Sequence, residues 1–165
     1  MTIQSNPKLI ALDWGTSSFR GWLLDGEGKV LESISADLGI LKVPDQDFQS
    51  VYHQQLNPWF KLHGSVPVIA SGMIGSRQGW VEAPYVACPS GLEELSEQLA
   101  YVPGNTKGNR SLMAIVPGMN HWSEGIPDVM RGEETQVFGA MEEEEPPMIC
   151  ICLLYTSDAA DDVEC

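Results

Sequence analysis

Cysteine is scarce in this chain: four residues, at positions 88, 150, 152 and 165. They show neither metal-ligand spacing nor a disulfide framework, and Cys150-x-Cys152 is too close for a normal zinc pair. Basic residues are also few. Nine Lys and Arg stand against 23 Asp and Glu, giving a formal net charge of −14. That balance argues against a nucleic-acid surface and against binding to acidic membranes. It leaves a local phosphate site open, because such a site uses backbone dipoles and a metal. No apolar run is long enough to span a bilayer. Residues 1–8 lack a signal-peptide pattern, so a reducing cytoplasm is the expected compartment. What is present is a globular composition: 43% hydrophobic residues over 165 positions, enough for one domain with a proper core.

The most informative stretch runs from Leu9 to Leu24. An apolar run, Leu9 to Leu12, ends in Asp13, and the polar turn Gly15-Thr16-Ser17-Ser18 follows. A second run, Phe19 to Leu24, leads to the hairpin-type turn Asp25-Gly26-Glu27-Gly28. Two adjacent strands should therefore meet at a turn with one carboxylate, one glycine and three hydroxyls. A bound phosphate needs N–H groups and hydroxyls to donate, and a glycine for close approach. The carboxylate can hold the accompanying magnesium, directly or through water. The plain alternative is an ordinary hairpin with a polar turn.

Residues 29–36 read as a third strand, completing an antiparallel meander. A helix should start near residues 44–47, with Asp45 as its cap, and should end at His63-Gly64. Phe48, Val51, Tyr52, Leu56, Trp59 and Phe60 recur at helical spacing along it. Residues 66–70 read as a short buried strand. Ser71 to Tyr85 is too glycine-rich for a helix interior and too polar for a core strand. It reads as a loop at a strand end, where α/β sheets place ligands. A short helix is expected over 91–100, with Leu92, Leu95 and Leu99 on one face, and a strand over 111–116. His121 reads as a loop residue, and His53 and His63 as helix-surface residues. Residues 128–140 read as a lead into a helix, and the acidic run at 142–145 as its solvated end.

Three segments together resemble one family: residues 13–20, residues 72–85 and residues 130–136. They are similar to the 2-dehydro-3-deoxygalactonokinases, sugar-acid kinases of the acetate and sugar kinase, heat-shock chaperone and actin superfamily. The likeness runs from about Lys8 to Ile151. It implies an α/β fold: a ribonuclease-H-like first lobe of an actin-like two-lobe kinase, with a mixed sheet, an antiparallel three-strand meander and flanking helices. Residues 1–145 would form that lobe, and 146–151 a linker and the first strand of a missing second lobe. Residues 152–165 back-translate like a sequencing-library adaptor and are expected to be non-native. The family's second phosphate loop is absent, so this polypeptide is expected not to turn over.

The resemblance implies ATP and Mg2+ as cofactors and a small-molecule sugar-acid substrate, 2-dehydro-3-deoxy-galactonate. Asp13 would organise the magnesium, while Gly15, Thr16 and Ser17 would cradle the ATP phosphates. Arg20 would neutralise phosphate charge or be a surface strand residue. Arg77 suits the substrate carboxylate, since arginine binds carboxylates bidentately. Gly72, Met73, Gly75, Trp80, Tyr85 and Arg131 complete the implied substrate site, with packing as the alternative for Trp80 and Tyr85 and pairing with Glu133 and Glu134 as the alternative for Arg131. One of Glu133 and Glu134 would accept the hydroxyl proton or hold a metal-bound water, and the other would serve the helix start. Two rival readings remain: a superfamily phosphatase acting on polyphosphate or a phosphorylated nucleotide, and a non-catalytic one-lobe binding module.

Overall fold

The structure, a computed structural model, describes residues 6–103, 113–123 and 126–141. The acidic run at 142–145, the linker and the 152–165 segment lie outside the described residues. Three strands open the fold: β1 (Leu9–Trp14), β2 (Phe19–Leu24) and β3 (Val30–Ala36). They form the expected antiparallel meander, with Asp13 opposite Arg20 and Trp14 opposite Phe19. Helix α1 (Phe48–His63) follows. Then come β4 (Val68–Ser71), β5 (Tyr85–Ala87), helix α2 (Leu92–Glu97), β6 (Ala100–Tyr101) and β7 (Met113–Ile115). A hairpin of β8 (Gly118–Ser123) and β9 (Ile126–Met130) leads into helix α3 (Glu133–Ala140).

The main sheet has the order β3-β2-β1-β4-β7-β6. Strands β1, β4 and β7 run parallel, and the others are antiparallel to their neighbours. A meander continued by parallel strands is the ribonuclease-H-like arrangement expected from the sequence. A second sheet, β5-β8-β9, stands beside it.

Alternation along β1 sets the two faces. Ile10, Leu12 and Trp14 enter the core, where α1 adds Phe48, Val51, Leu56 and Trp59. Burying each such side chain contributes about 2 kcal/mol. Trp14 is fully buried, stacks edge-on to Phe19 and Phe48, and donates its indole N–H to the Leu38 carbonyl at 2.9 Å. The opposite face of β1 carries Ala11 and Asp13. Position 13 therefore sits at the strand's end, on the side away from α1.

Several expectations need correction. The cap of α1 is Asp47, whose carboxylate accepts from the Ser50 N–H at 3.0 Å; Asp45 lies in a preceding 3-10 turn. The predicted helix over 91–100 is shorter, because Ala100 and Tyr101 pair with β7 as an edge strand. Within it Leu95 is buried but Leu92 is exposed. His63 has a buried Nε2 and is not a plain surface residue. His121 lies in a strand, because residues 118–120 pair with β5 and residues 119–123 with β9. Residues 128–130 are likewise strand.

Candidate functional site

The three segments singled out in the sequence converge on the end of β1. The first is the turn after Trp14, closed by a bond from the Gly15 N–H to the Ser18 carbonyl at 3.0 Å. The N–H groups of Thr16 and Ser17 have no backbone partner among the described residues, and both residues are exposed. A second strand of chain clasps the turn from beneath. Ile40 N–H donates to the Gly15 carbonyl at 2.9 Å and Leu41 N–H to the Thr16 carbonyl at 3.3 Å. Gly39 underlies this clasp, and no local signal in the sequence marks it.

The second segment leaves β4 at Gly72, whose φ of +95° is a conformation that favours glycine. A Cβ there would lie 2.9 Å from the Trp14 carbonyl and 3.4 Å from Asp13 Oδ1. The third segment turns into α3 at Gly132, with φ +112°, and a Cβ there would meet Gly72 Cα at 3.2 Å. Asp13, Gly72 and Gly132 thus form one close-packed junction of backbones.

Asp13 is partly exposed at this junction. Its Oδ2 lies 3.5 Å from Arg20 Nε, in an exposed cross-strand pair worth at most about 1 kcal/mol. Beside it opens a cleft of about 400 Å³ lined by Asp13, Arg20, Trp22, Ser71, Thr135 and Gln136 among others. Ser71, Thr135 and Gln136 were not singled out as site residues; Thr135 and Gln136 fall within the third motif, but only folding brings them beside Asp13.

Both glutamates at the head of α3 turn back on the chain. Glu133 Oε2 accepts from the Arg131 N–H at 2.9 Å, and Glu134 accepts from the Gly132 N–H through Oε1 and Oε2 at 2.8 and 2.7 Å. Glu133 is half-buried, whereas Glu134 is 1% exposed. Burial pushes the Glu134 carboxyl above its ordinary value of 4.5, against the opposing bonds from its own N–H, the Gly132 N–H and the Thr135 hydroxyl; the Glu133 charge adds to the rise. The folded state therefore holds this proton more tightly than the unfolded chain. Its stabilising effect is complete below the ordinary carboxyl range and is lost as pH rises through the raised value. Glu134→Gln removes the charge and keeps one acceptor for Gly132. Its melting temperature relative to wild type should rise between about pH 4 and pH 7. A difference that stays flat across that range would show that burial does not tune this carboxyl.

The other candidates divide. Arg131, Tyr85 and Gly75 come together: Arg131 is buried, donates from Nη2 to the Ala83 carbonyl at 2.9 Å, and stacks 4.2 Å above the Tyr85 ring. Met73 and Trp80 pack on the core, and Trp80 meets Trp14 and Tyr52 edge-on. Arg77 stands apart, 89% exposed at its side chain, with Glu82 Oε1 at 3.8 Å.

A sequence model of the 2-keto-3-deoxy-galactonokinase family matches residues 13–158. The chain belongs to this family. It is 37% identical over 130 residues to a Rhizobium meliloti (strain 1021) protein named as a probable 2-dehydro-3-deoxygalactonokinase, covering 79% of this chain and 41% of that protein. It is 34% identical over 133 residues to the 2-dehydro-3-deoxygalactonokinase of Escherichia coli (strain K12), covering 81% and 42%. Among solved structures, it matches a Sinorhizobium meliloti protein assigned as a 2-dehydro-3-deoxygalactonokinase. That match has a TM-score of 0.70 and 36% identity, over 80% of this chain and 42% of the other. This 2-keto-3-deoxy-galactonokinase family member thus spans about two-fifths of the length of those relatives. The family match takes in all three converging segments.

Among the described residues no group of three or more His, Cys, Asp or Glu could hold a metal ion by itself. A magnesium carried by phosphates needs less, because it keeps several waters and takes only one or two carboxylates. Asp13, partly exposed beside a turn whose Thr16 and Ser17 N–H groups have no backbone partner among the described residues, fits that donor set.

Proposed function

We propose that a family-length protein carrying this lobe transfers a phosphoryl group from ATP to a hydroxyl of a 2-keto-3-deoxy sugar acid, 2-dehydro-3-deoxy-galactonate. The observation that carries this reading is the junction around Gly72, which gathers a phosphate-type turn, Asp13 and the glutamates of α3. Family membership supports the substrate class; the residues alone speak for phosphate and a small polar acid.

Phosphoryl transfer relies on positioning and on charge neutralisation. The exposed N–H groups and hydroxyls of Thr16 and Ser17 donate to phosphate oxygens, and Gly15 lets them approach. Asp13 would hold the magnesium, which when bound would neutralise charge on the phosphates. Arg20 lies close enough to Asp13 to share that role. Glu133 accepts the proton of the attacking hydroxyl: it is half-buried and can be reached, whereas Glu134 is sealed and braces the Gly132 turn. Arg77, exposed and only loosely paired with Glu82, would meet the substrate carboxylate as a forked donor. The protein would act in the cytoplasm on a small molecule.

The test is ADP formation by the family-length protein with ATP, Mg2+ and a panel of sugar acids. Activity with 2-keto-3-deoxy acids, lowered about 10²- to 10⁴-fold in kcat by Glu133→Gln, is the expected result. Phosphate release from polyphosphate without sugar-acid phosphorylation would replace this reading with a phosphatase. Ligand binding without any turnover would leave a binding module.

A further inference from the structure

Arg131 is the buried cation of this lobe, 8% exposed, and no salt bridge reaches it among the described residues. A guanidinium taken out of water is costly unless its donors and charge are met locally. Here one stretch of chain meets two of its three nitrogens and one face of its plane. Nη2 donates to the Ala83 carbonyl at 2.9 Å and Nε reaches the Tyr85 hydroxyl at 3.3 Å. The cationic carbon sits 4.2 Å above the Tyr85 ring, a cation–π arrangement. Gly118 also packs against that ring, where a Cβ would come within 2.7 Å of it. Nη1 has no hydrogen-bond partner among the described residues and lies against Gly75, where a Cβ would approach to 3.0 Å.

The backbone of Arg131 belongs to a different unit. Its N–H is held by Glu133, and the next residue, Gly132, rests on Gly72 beside Asp13. The side chain therefore grips the far end of the glycine-rich loop, while the main chain forms part of the junction at its near end. The loop has its own short bonds, Trp80 N–H to the Ile74 carbonyl and Ala83 N–H to the Gly75 carbonyl, at 2.9 and 2.8 Å. These bonds close the loop on itself but do not tie it to α3.

We propose that Arg131 is a positioning residue, not a substrate ligand: its guanidinium bolts the loop from Gly72 to Tyr85 onto the head of α3, fixing Asp13, the loop and Glu133 in one frame. What is being positioned rests on the kinase reading above. Because Arg131 is buried, with Nε and Nη2 engaged within the fold, carboxylate recognition falls to the exposed Arg77 on the same loop. Lysine cannot replace this arginine, since it lacks the planar face that lies on the Tyr85 ring and the two separate nitrogens that reach the Ala83 carbonyl and the Tyr85 hydroxyl together.

The experiment compares wild type, Arg131→Lys and Tyr85→Leu in the family-length protein. Misplacing catalytic groups by about 1 Å costs on the order of 100-fold. Arg131→Lys should therefore lower kcat about 100-fold with KM for ATP and for the sugar acid changed less than about threefold. Hydrogen exchange at the Trp80 and Ala83 amides should speed up about tenfold or more in both variants, while the Gly15 and Ile40 amides keep their wild-type rates. Tyr85→Leu removes the stack at a partly exposed position and guards against an unfolded lysine variant. A large rise in KM for the sugar acid with kcat retained would overturn the proposal in favour of direct binding. Unchanged exchange in the loop would also overturn it. If wild type forms no ADP with any sugar acid, the kinase reading fails, and the exchange data still decide whether the bolt exists.

Discussion

In the family-length protein, if it is the kinase proposed above, Asp13→Asn is expected to lower kcat for phosphoryl transfer by roughly 10³-fold while leaving the melting temperature nearly unchanged. The two halves of this result have separate causes. Asn keeps the size and hydrogen-bonding shape of Asp, and position 13 is partly exposed on the face of β1 away from the core. Its ion pair with Arg20 is long, 3.5 Å, and water-screened, so its loss costs little stability. Charge is what the substitution removes. A magnesium carried by phosphates takes only one or two carboxylates from the protein, and Asp13 is the carboxylate beside the turn. Steady-state kinetics over a magnesium titration provide the measurement. Activity within tenfold of wild type at saturating magnesium would show that another group organises the metal, and the role given to Asp13 would be withdrawn.

Gly39→Ala is expected to cost about 3 kcal/mol of stability and, in the family-length protein under the kinase reading, to abolish ATP binding together with it. Gly39 has ordinary extended torsions, φ −63° and ψ 170°, so any residue could adopt its backbone conformation. The difficulty is space. A Cβ at this position would lie 2.2 Å from the Thr16 carbonyl oxygen and 2.3 Å from two backbone atoms of Ser17. Those are main-chain atoms, and no rotamer change relieves the overlap. The phosphate turn would have to move by roughly 1 Å to reach ordinary contact distance. That movement breaks the bonds from Ile40 and Leu41 that hold Gly15 and Thr16. Gly139→Ala serves as the control, since nothing lies within 4 Å of a Cβ there and alanine is the better helix former. Denaturant midpoints and nucleotide titrations of both variants test the contrast. If Gly39→Ala melts like wild type and binds ATP, the clasp does not shape the turn.

The rival chemistries separate by the same geometry. A phosphatase would use the turn and the α3 glutamates but has no need of the loop from Gly72 to Tyr85. In this lobe the loop is built into the junction through Gly72 and through Arg131. That favours an acceptor substrate held beside the phosphate turn.

The sequence by itself determined the local elements. Period-two alternation gave the meander, because one face of β1 must be apolar and the other need not be. Period 3.6 gave α1 from Phe48 to His63, and Gly64 marked its end. The turn after Asp13 and the loop after β4 were legible because glycine and hydroxyl clusters exclude regular structure. Each of these signals acts within a few residues.

Tertiary structure decided the rest. The cap of α1 is Asp47, because the 3-10 turn at 44–46 moves the helix start on by two residues. Strand β8 was invisible as a strand, since Asn120-His121-Trp122 becomes one by pairing with β5, more than thirty residues earlier, and with β9. Gly39 matters through a contact with Thr16 and Ser17, more than twenty positions back. In the sequence Arg77 suits the substrate carboxylate, and Arg131 suits the substrate or the neighbouring glutamates. The fold leaves the first in solvent and buries the second against Ala83 and Tyr85. Local patterns carry no record of such contacts, because burial and the filling of space depend on which distant segments the sheet order brings together.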